Sequence, residues 1–215
     1  MQRSKRSSGK KGSLNYQVRI IGGQWKRSLL PVSAASDIRP TPNRVRETVF
    51  NWLYTLFSGA WKEMACLDLF AGTGSFGFEA ASRGVLQVTM VESNRIAFGQ
   101  LAATRDRLGA GSVVTLIQGD AFFASSQLLS QNRQFDVIFL DPPFESGLLS
   151  GILPLCAGLL KDKGVVYIES PVFLTEEFVA KSGIEGKKWH VIRQDRAGHV
   201  RYQLLQLSSL GSSEA

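Results

Sequence analysis

The chain has 215 residues, of which 44% are hydrophobic and 20% charged, the balance of a globular domain with one full core and little room for a second. It holds no apolar run near the 18 residues a spanning helix needs, and its basic N-terminus is not followed by the apolar stretch of a secretory signal. The net charge of +7 is uneven: residues 1–46 carry eleven Lys and Arg against one acid, Asp37, which leaves 14 basic and 17 acidic residues for the rest.

A basic first fifth on a near-neutral body suggests a polyanionic partner, RNA or DNA. Residues 1–13, rich in Ser, Gly, Lys and Arg, read as a flexible basic arm, which serves either a polyanion or solubility. Residues 16–30, YQVRIIGGQWKRSLL, read as two short strands around a turn at Gly22-Gly23. Lys26 and Arg27 near that turn are candidate phosphate contacts, and Trp25 either stacks on RNA or fills core. Residues 31–43 form a loop with three prolines. Thr41 is placed to cap a helix that has Pro42 at its first position and runs to about residue 57. Val45, Val49, Trp52, Leu53 and Leu56 would share its apolar face.

From residue 64 the pattern alternates. Strands are expected at 65–70, 87–92, 113–118, 135–140 and 164–169, and helices at 75–83, 94–108, 121–130 and 147–160. Such alternation makes an α/β fold with a mostly parallel sheet covered on both faces. Beyond residue 170, KKWHVIRQ and HVRYQLLQL read as two further strands joined at Ala197-Gly198. His199 there is assigned a structural role. Cys66 and Cys156 are expected to be buried reduced thiols, as in a cytoplasmic protein. With only His190 and His199 besides these, no metal site is expected. No coiled-coil seam is present, which favours a monomer.

The stretch DLFAGTGSFG, residues 68–77, follows a strand, opens a helix, and contains Gly72-x-Gly74-x-x-Gly77. That spacing marks a nucleoside-type cofactor without saying which. Asp68 at the strand end would repel a pyrophosphate but suits the cationic amino-acid end of S-adenosylmethionine. Glu92 ends the next strand and can accept both ribose hydroxyls. Asp120 follows the third strand, where it can accept from an adenine amino group, cap the next helix, or do both. The fourth strand ends at Asp141-Pro142-Pro143-Phe144. An exocyclic amino group has its lone pair conjugated with the ring. Two acceptors at its N–H bonds, the Asp141 carboxylate and a carbonyl aimed by Pro142, would favour the pyramidal, nucleophilic form. Phe144 offers a stacking face.

Together DLFAGTGSFGFEA, VES, GD and DPPF resemble class I S-adenosylmethionine-dependent amino methyltransferases. RPTPNRVRETVFNWL, residues 39–53, resembles more specifically the RsmD family, bacterial 16S rRNA guanine-N2 methyltransferases. The resemblance runs from about Arg19 to Leu207. It implies a Rossmann-like, seven-stranded sheet ending in an antiparallel hairpin, with an RNA-contacting extension over 14–60, a methyltransferase domain over 61–207 and a flexible tail from 208. It implies S-adenosylmethionine held by Asp68, Phe70, Gly72, Thr73, Gly74, Glu92, Ser93, Asp120 and Ala121. The guanine would meet Asp141, the Pro142 carbonyl and Phe144, and 16S rRNA in a 30S particle would meet Lys26, Arg27, Arg39, Arg44 and Arg46. Other enzymes remain as alternatives: methylation of adenine N6 in DNA or of a protein glutamine, or an NAD oxidoreductase on the same glycines. So does a non-catalytic assembly factor that binds rRNA.

Overall fold

A computed structural model describes residues 18–32, 41–143 and 147–209. The basic arm, Arg39, Phe144 and the tail from residue 210 lie outside the described residues.

The central strands are β3 (Ala65–Asp68), β4 (Gln87–Glu92), β5 (Val114–Gln118), β6 (Phe135–Leu140) and β7 (Leu160–Ser170), which run parallel. β8 (Lys187–Ala197) and β9 (Val200–Ser209) form an antiparallel hairpin that joins the sheet through β7. The order is β5-β4-β3-β6-β7-β9-β8. Two short strands, β1 (Val18–Arg19) and β2 (Leu29–Leu30), pair outside this sheet. The helices are α1 (Asn43–Leu56), α2 (Ser75–Ser82), α3 (Arg95–Arg107), α4 (Ala121–Ser130), α5 (Leu148–Leu159) and α6 (Glu176–Lys181).

Strands buried on both faces read as continuous apolar runs. Val137, Ile138, Phe139 and Leu140 are all fully buried, but Val137 and Phe139 face one core while Ile138 and Leu140 face the other. One core packs α1, α2 and α3 against the sheet and the other packs α4, α5 and α6. Cys66 and Cys156 are buried free thiols, one in each core, and burial pushes both thiols far above their ordinary range.

Several expectations need correction. The two short strands do pair antiparallel, but the chain reverses over Gly23–Lys26, where the Lys26 amide donates to the Gly23 carbonyl at 3.3 Å, in a loop over residues 20–28 docked on α2. The Gly22 and Ile21 amides donate to the Glu79 carboxylate at 2.9 and 2.6 Å, and the Trp25 amide donates to Ser82 Oγ at 2.9 Å. Gly23 sits at φ 76° so close to α2 that a Cβ there would lie 1.8 Å from the Ser82 carbonyl oxygen. The final hairpin turns at Gly198-His199, since Ala197 still pairs with Val200, and β9 extends to Ser209, beyond the expected boundary at 207. On α1, Phe50 and Arg46 face the core, whereas Leu56 is 40% exposed and Trp52 packs at its margin against Tyr202. Phe50 lies against Phe76 and Phe139, so α1 packs into the same core as α2 and that face of the sheet.

Candidate active site

The sheet order reverses between β3 and β6. Their carboxyl ends therefore open a crevice, the usual ligand position in such folds. Asp68 closes β3, opposite Phe139 of β6, and Asp141 follows β6 directly.

The glycine loop is shaped by backbone demands. Gly72 and Gly74 have φ of 52° and 75°, the left-handed region that favours glycine, and Gly74 precedes α2 directly. Gly77 has a different role: a Cβ there would lie 2.3 Å from Met90 Sδ, so its absence lets α2 press on β4. Asp68 accepts from the Gly77 amide at 3.1 Å and is nearly sealed from solvent. Burial pushes its carboxyl up to about 7, with the charge of Glu92 adding to the shift and the Gly77 and Phe70 amides opposing it. A protein seldom leaves such a carboxylate without a counter-charge, and a ligand cation here would supply one.

Glu92 ties the loop to the next strand. It accepts from the Gly72 amide at 2.8 Å and from the Asn94 amide at 2.7 Å, which leaves further lone pairs for hydroxyl donors. Ser93 beside it is exposed. Asp120 is the N-cap of α4, accepting from the Phe122 and Phe123 amides at 2.9 and 3.1 Å, and it remains exposed at the same edge. The cap is therefore present, and it leaves the second carboxylate oxygen free for a ligand. Phe70, Thr73 and Ala121 occupy the same row of strand-end loops, with Phe70 and Thr73 partly exposed and Ala121 buried.

Asp141 is half-buried and Pro142 is buried behind it. Burial pushes the Asp141 carboxyl well above the usual range, and Glu169 and Asp68 push it in the same direction while Thr41 opposes. Thr41 does not cap α1. Pro42 stands at the cap position with no side-chain bond, and the Thr41 hydroxyl donates instead to Glu169 Oε1 at 2.6 Å, with Asp141 Oδ2 at 3.4 Å. Tyr167 also donates to Glu169 Oε1, at 2.8 Å. Glu169 is buried, which raises its pKa against the pull of Thr41, Tyr167 and Arg46.

Thr41, Tyr167 and Glu169 were missed as site residues. Glu169 was legible: β7 ends in Ile168-Glu169-Ser170, the form of Val91-Glu92-Ser93 at the end of β4. Arg46 must be withdrawn from the RNA-contacting residues. It is fully buried and donates to Arg19 O at 2.8 Å, Asn43 Oδ1 at 2.7 Å and Ser75 O at 3.3 Å, with Glu79 Oε2 at 3.9 Å. Arg44, Lys26 and Arg27 are exposed. Among the described residues no cluster of His, Cys, Asp and Glu could hold a metal, and no helix is long and apolar enough to cross a membrane.

The family model described as conserved hypothetical protein 95 matches residues 18–206. Ribosomal RNA small subunit methyltransferase D of Escherichia coli (strain K12) is 37% identical over 203 residues, 93% of this chain and 94% of the relative. The chain belongs to the RsmD family. The methyltransferase D of Haemophilus influenzae is 34% identical over 192 residues, 88% of this chain and 94% of the relative. The solved structure of the Escherichia coli protein yhhF superposes with a TM-score of 0.71 at 36% identity, covering 89% of this chain and 98% of that one. The RsmD-family membership and the α/β sheet therefore agree with the motifs from which both were expected.

Proposed function

We propose that this RsmD-family protein methylates the exocyclic N2 amino group of one guanine in small-subunit ribosomal RNA, within an assembled or assembling 30S particle. A ribosomal substrate places that work in the cytoplasm. The observation that carries the reading is Asp141, followed by buried Pro142, at the carboxyl end of β6 and beside the glycine loop of β3. The names of the relatives supply the ribosomal RNA.

S-adenosylmethionine fits the loop: a buried carboxylate lacking a counter-charge, two left-handed glycines, and two strand-end acids with free lone pairs suit an amino acid, a ribose and an adenine. When bound, it supplies a methyl group on a sulfonium, ready for transfer with loss of the S–C bond pair to sulfur. Asp68 would face the cationic end, Glu92 the ribose and Asp120 the adenine amino group. Asp141 and the Pro142 carbonyl accept the two N2–H bonds of the guanine, which frees the nitrogen lone pair for attack. After transfer the amino group carries a positive charge, and Asp141 takes the surplus proton. Phe144 supplies a stacking face for a base that has left its helix or loop.

The test is to incubate the protein with radiolabelled S-adenosylmethionine and 30S subunits from cells lacking the native activity. Naked 16S rRNA and duplex DNA run in parallel, and all three are digested to nucleosides. Label in N2-methylguanosine is expected. Label confined to N6-methyladenine of DNA, or no label, overturns the proposal.

A further inference from the structure

The register of the sheet carries the row of the catalytic clamp outward to a cationic edge. β6 and β7 pair Leu140 with Ile168 at the last rung of β6, two residues before Pro142 on one strand and Ser170 on the other. Ser170 pairs with Arg201 of β9, and Arg201 pairs with Arg196 of β8. Neighbouring strands lie about 4.8 Å apart, so Arg201 lies one strand spacing from Ser170 at the end of β7. Cross-strand partners project to the same face, and two like charges set directly opposite each other are unfavourable without an anion between them. Neither guanidinium has an ion pair among the described residues; Arg201 Nη1 reaches only the Gly198 carbonyl at 3.2 Å. Arg196 is exposed and Arg201 partly so.

The loop that leaves β7 adds apolar surface at the same edge. Val172 is 64% exposed and Phe173 37% exposed, although both follow the buried stretch of β7 from Gly164 to Ser170. The loop is held in place from the hairpin, because the Leu174 amide donates to Gln203 of β9 at 2.8 Å. Paired arginines opposite Ser170, with an exposed aromatic ring three residues further along the chain, match the needs of unpaired RNA: charge for the phosphates and a flat face for a base.

We propose that the β8–β9 tip and the loop leaving β7 form a second RNA-contact surface. Arg196 and Arg201 grip phosphates, and Phe173 stacks an unpaired base next to the guanine held at Asp141. This rests on the RNA reading of the site above, and it extends the interface to the opposite end of the chain from the basic N-terminal region.

The experiment compares the full chain with Arg196→Ala/Arg201→Ala, Arg196→Lys/Arg201→Lys, Phe173→Ala and Phe173→Tyr. Binding to a 16S rRNA fragment containing the target guanine, and in parallel to 30S particles, is followed by fluorescence anisotropy across a salt series. S-adenosylmethionine binding by calorimetry reports an intact cofactor site. The double alanine variant should lower the salt slope by about 1.4, two phosphates at about 0.7 each, and the double lysine variant should restore it. Phe173→Ala should weaken binding about tenfold with the slope unchanged, and Phe173→Tyr should restore it. An unchanged slope in the double alanine variant overturns the proposal. So does a loss seen only with 30S particles and not with naked RNA, which would make the surface a ribosomal-protein contact. The nucleoside digest of the unaltered protein is scored separately, so a wrong methylation product sinks the proposed reaction without being confused with failure of this surface.

Discussion

The hydroxyl of Thr41 lies 2.6 Å from Glu169 Oε1 and 3.4 Å from Asp141 Oδ2, joining the N-terminal segment to the strand-end acids. One hydroxyl carries one proton, so Thr41 can donate to only one carboxylate at a time. Two acids in such a setting titrate as a pair rather than singly. Thr41→Val should therefore lower methyl transfer by about 10- to 100-fold, the value of a hydrogen bond to a charged group. Thr41→Ser should retain activity, and both variants should bind S-adenosylmethionine normally. Single-turnover rates beside calorimetric affinities would show this. Equal rates for Thr41→Val and the unaltered protein would remove the bridge from the mechanism.

Only as a carboxylate can Asp141 both accept strongly from an amino group and take up its surplus proton, and both burial and Glu169 favour its neutral form. Activity should rise with pH as the Asp141–Glu169 pair loses its proton. Glu169→Gln removes a neighbouring negative charge, so the acidic limb of the kcat/KM profile should move to lower pH. A limb that stays in place or moves upward would contradict the pairing.

Asp141→Ala should abolish methyl transfer while S-adenosylmethionine binding remains close to normal. In the proposed reaction the carboxylate acts at the amino group and not at the cofactor. Product analysis and calorimetry on the same preparation would separate these two effects. Substantial turnover in the variant would refute the amino clamp.

Asp68, pushed up to about 7 by burial, gives cofactor binding its own pH dependence. A bound cation favours the charged carboxylate, so affinity should fall as pH drops below about 7. Without cofactor the sign for stability is opposite. The folded state holds this proton more tightly than the unfolded chain, so folding stability from this group declines as pH rises from 3.8 to about 7. Asp68→Asn should weaken binding and flatten both dependences, which calorimetry and thermal melting across pH would measure.

Arg46 and Arg44 separate structure from recognition on one helix. Arg46→Ala leaves Glu79 buried with one counter-charge fewer and should destabilise the fold by about 3–5 kcal/mol. Arg44→Ala touches an exposed residue and should leave the melting temperature unchanged while reducing the salt slope of RNA binding. Chemical denaturation and RNA titrations would distinguish the two residues. A stable Arg46→Ala protein with weakened RNA binding would return Arg46 to the interface.

The strands at 87–92 and 135–140 and the helix at 121–130 were legible residue for residue, because an apolar run or a stripe of fixed period leaves few local alternatives. The strand-end acids Asp68, Glu92, Asp120 and Asp141 were legible for a related reason: in an alternating β/α chain every strand ends at the same edge. Local pattern does not say what a polar side chain meets across the fold. Thr41 read as a helix cap by its position before Pro42, yet its partner Glu169 lies 128 residues away. Arg46 read as surface charge, yet helix packing turned it inward onto Glu79 of α2. The hairpin read at Gly22-Gly23 is present, but its reversal lies at Gly23–Lys26, and the Glu79 and Ser82 side chains of α2 bind the loop backbone before it. The sequence by itself determined the layered sheet, its glycine loop and its row of strand-end acids, all products of local periodicity. Only the tertiary structure decided which polar groups are buried together, because that depends on contacts between segments that periodicity does not relate.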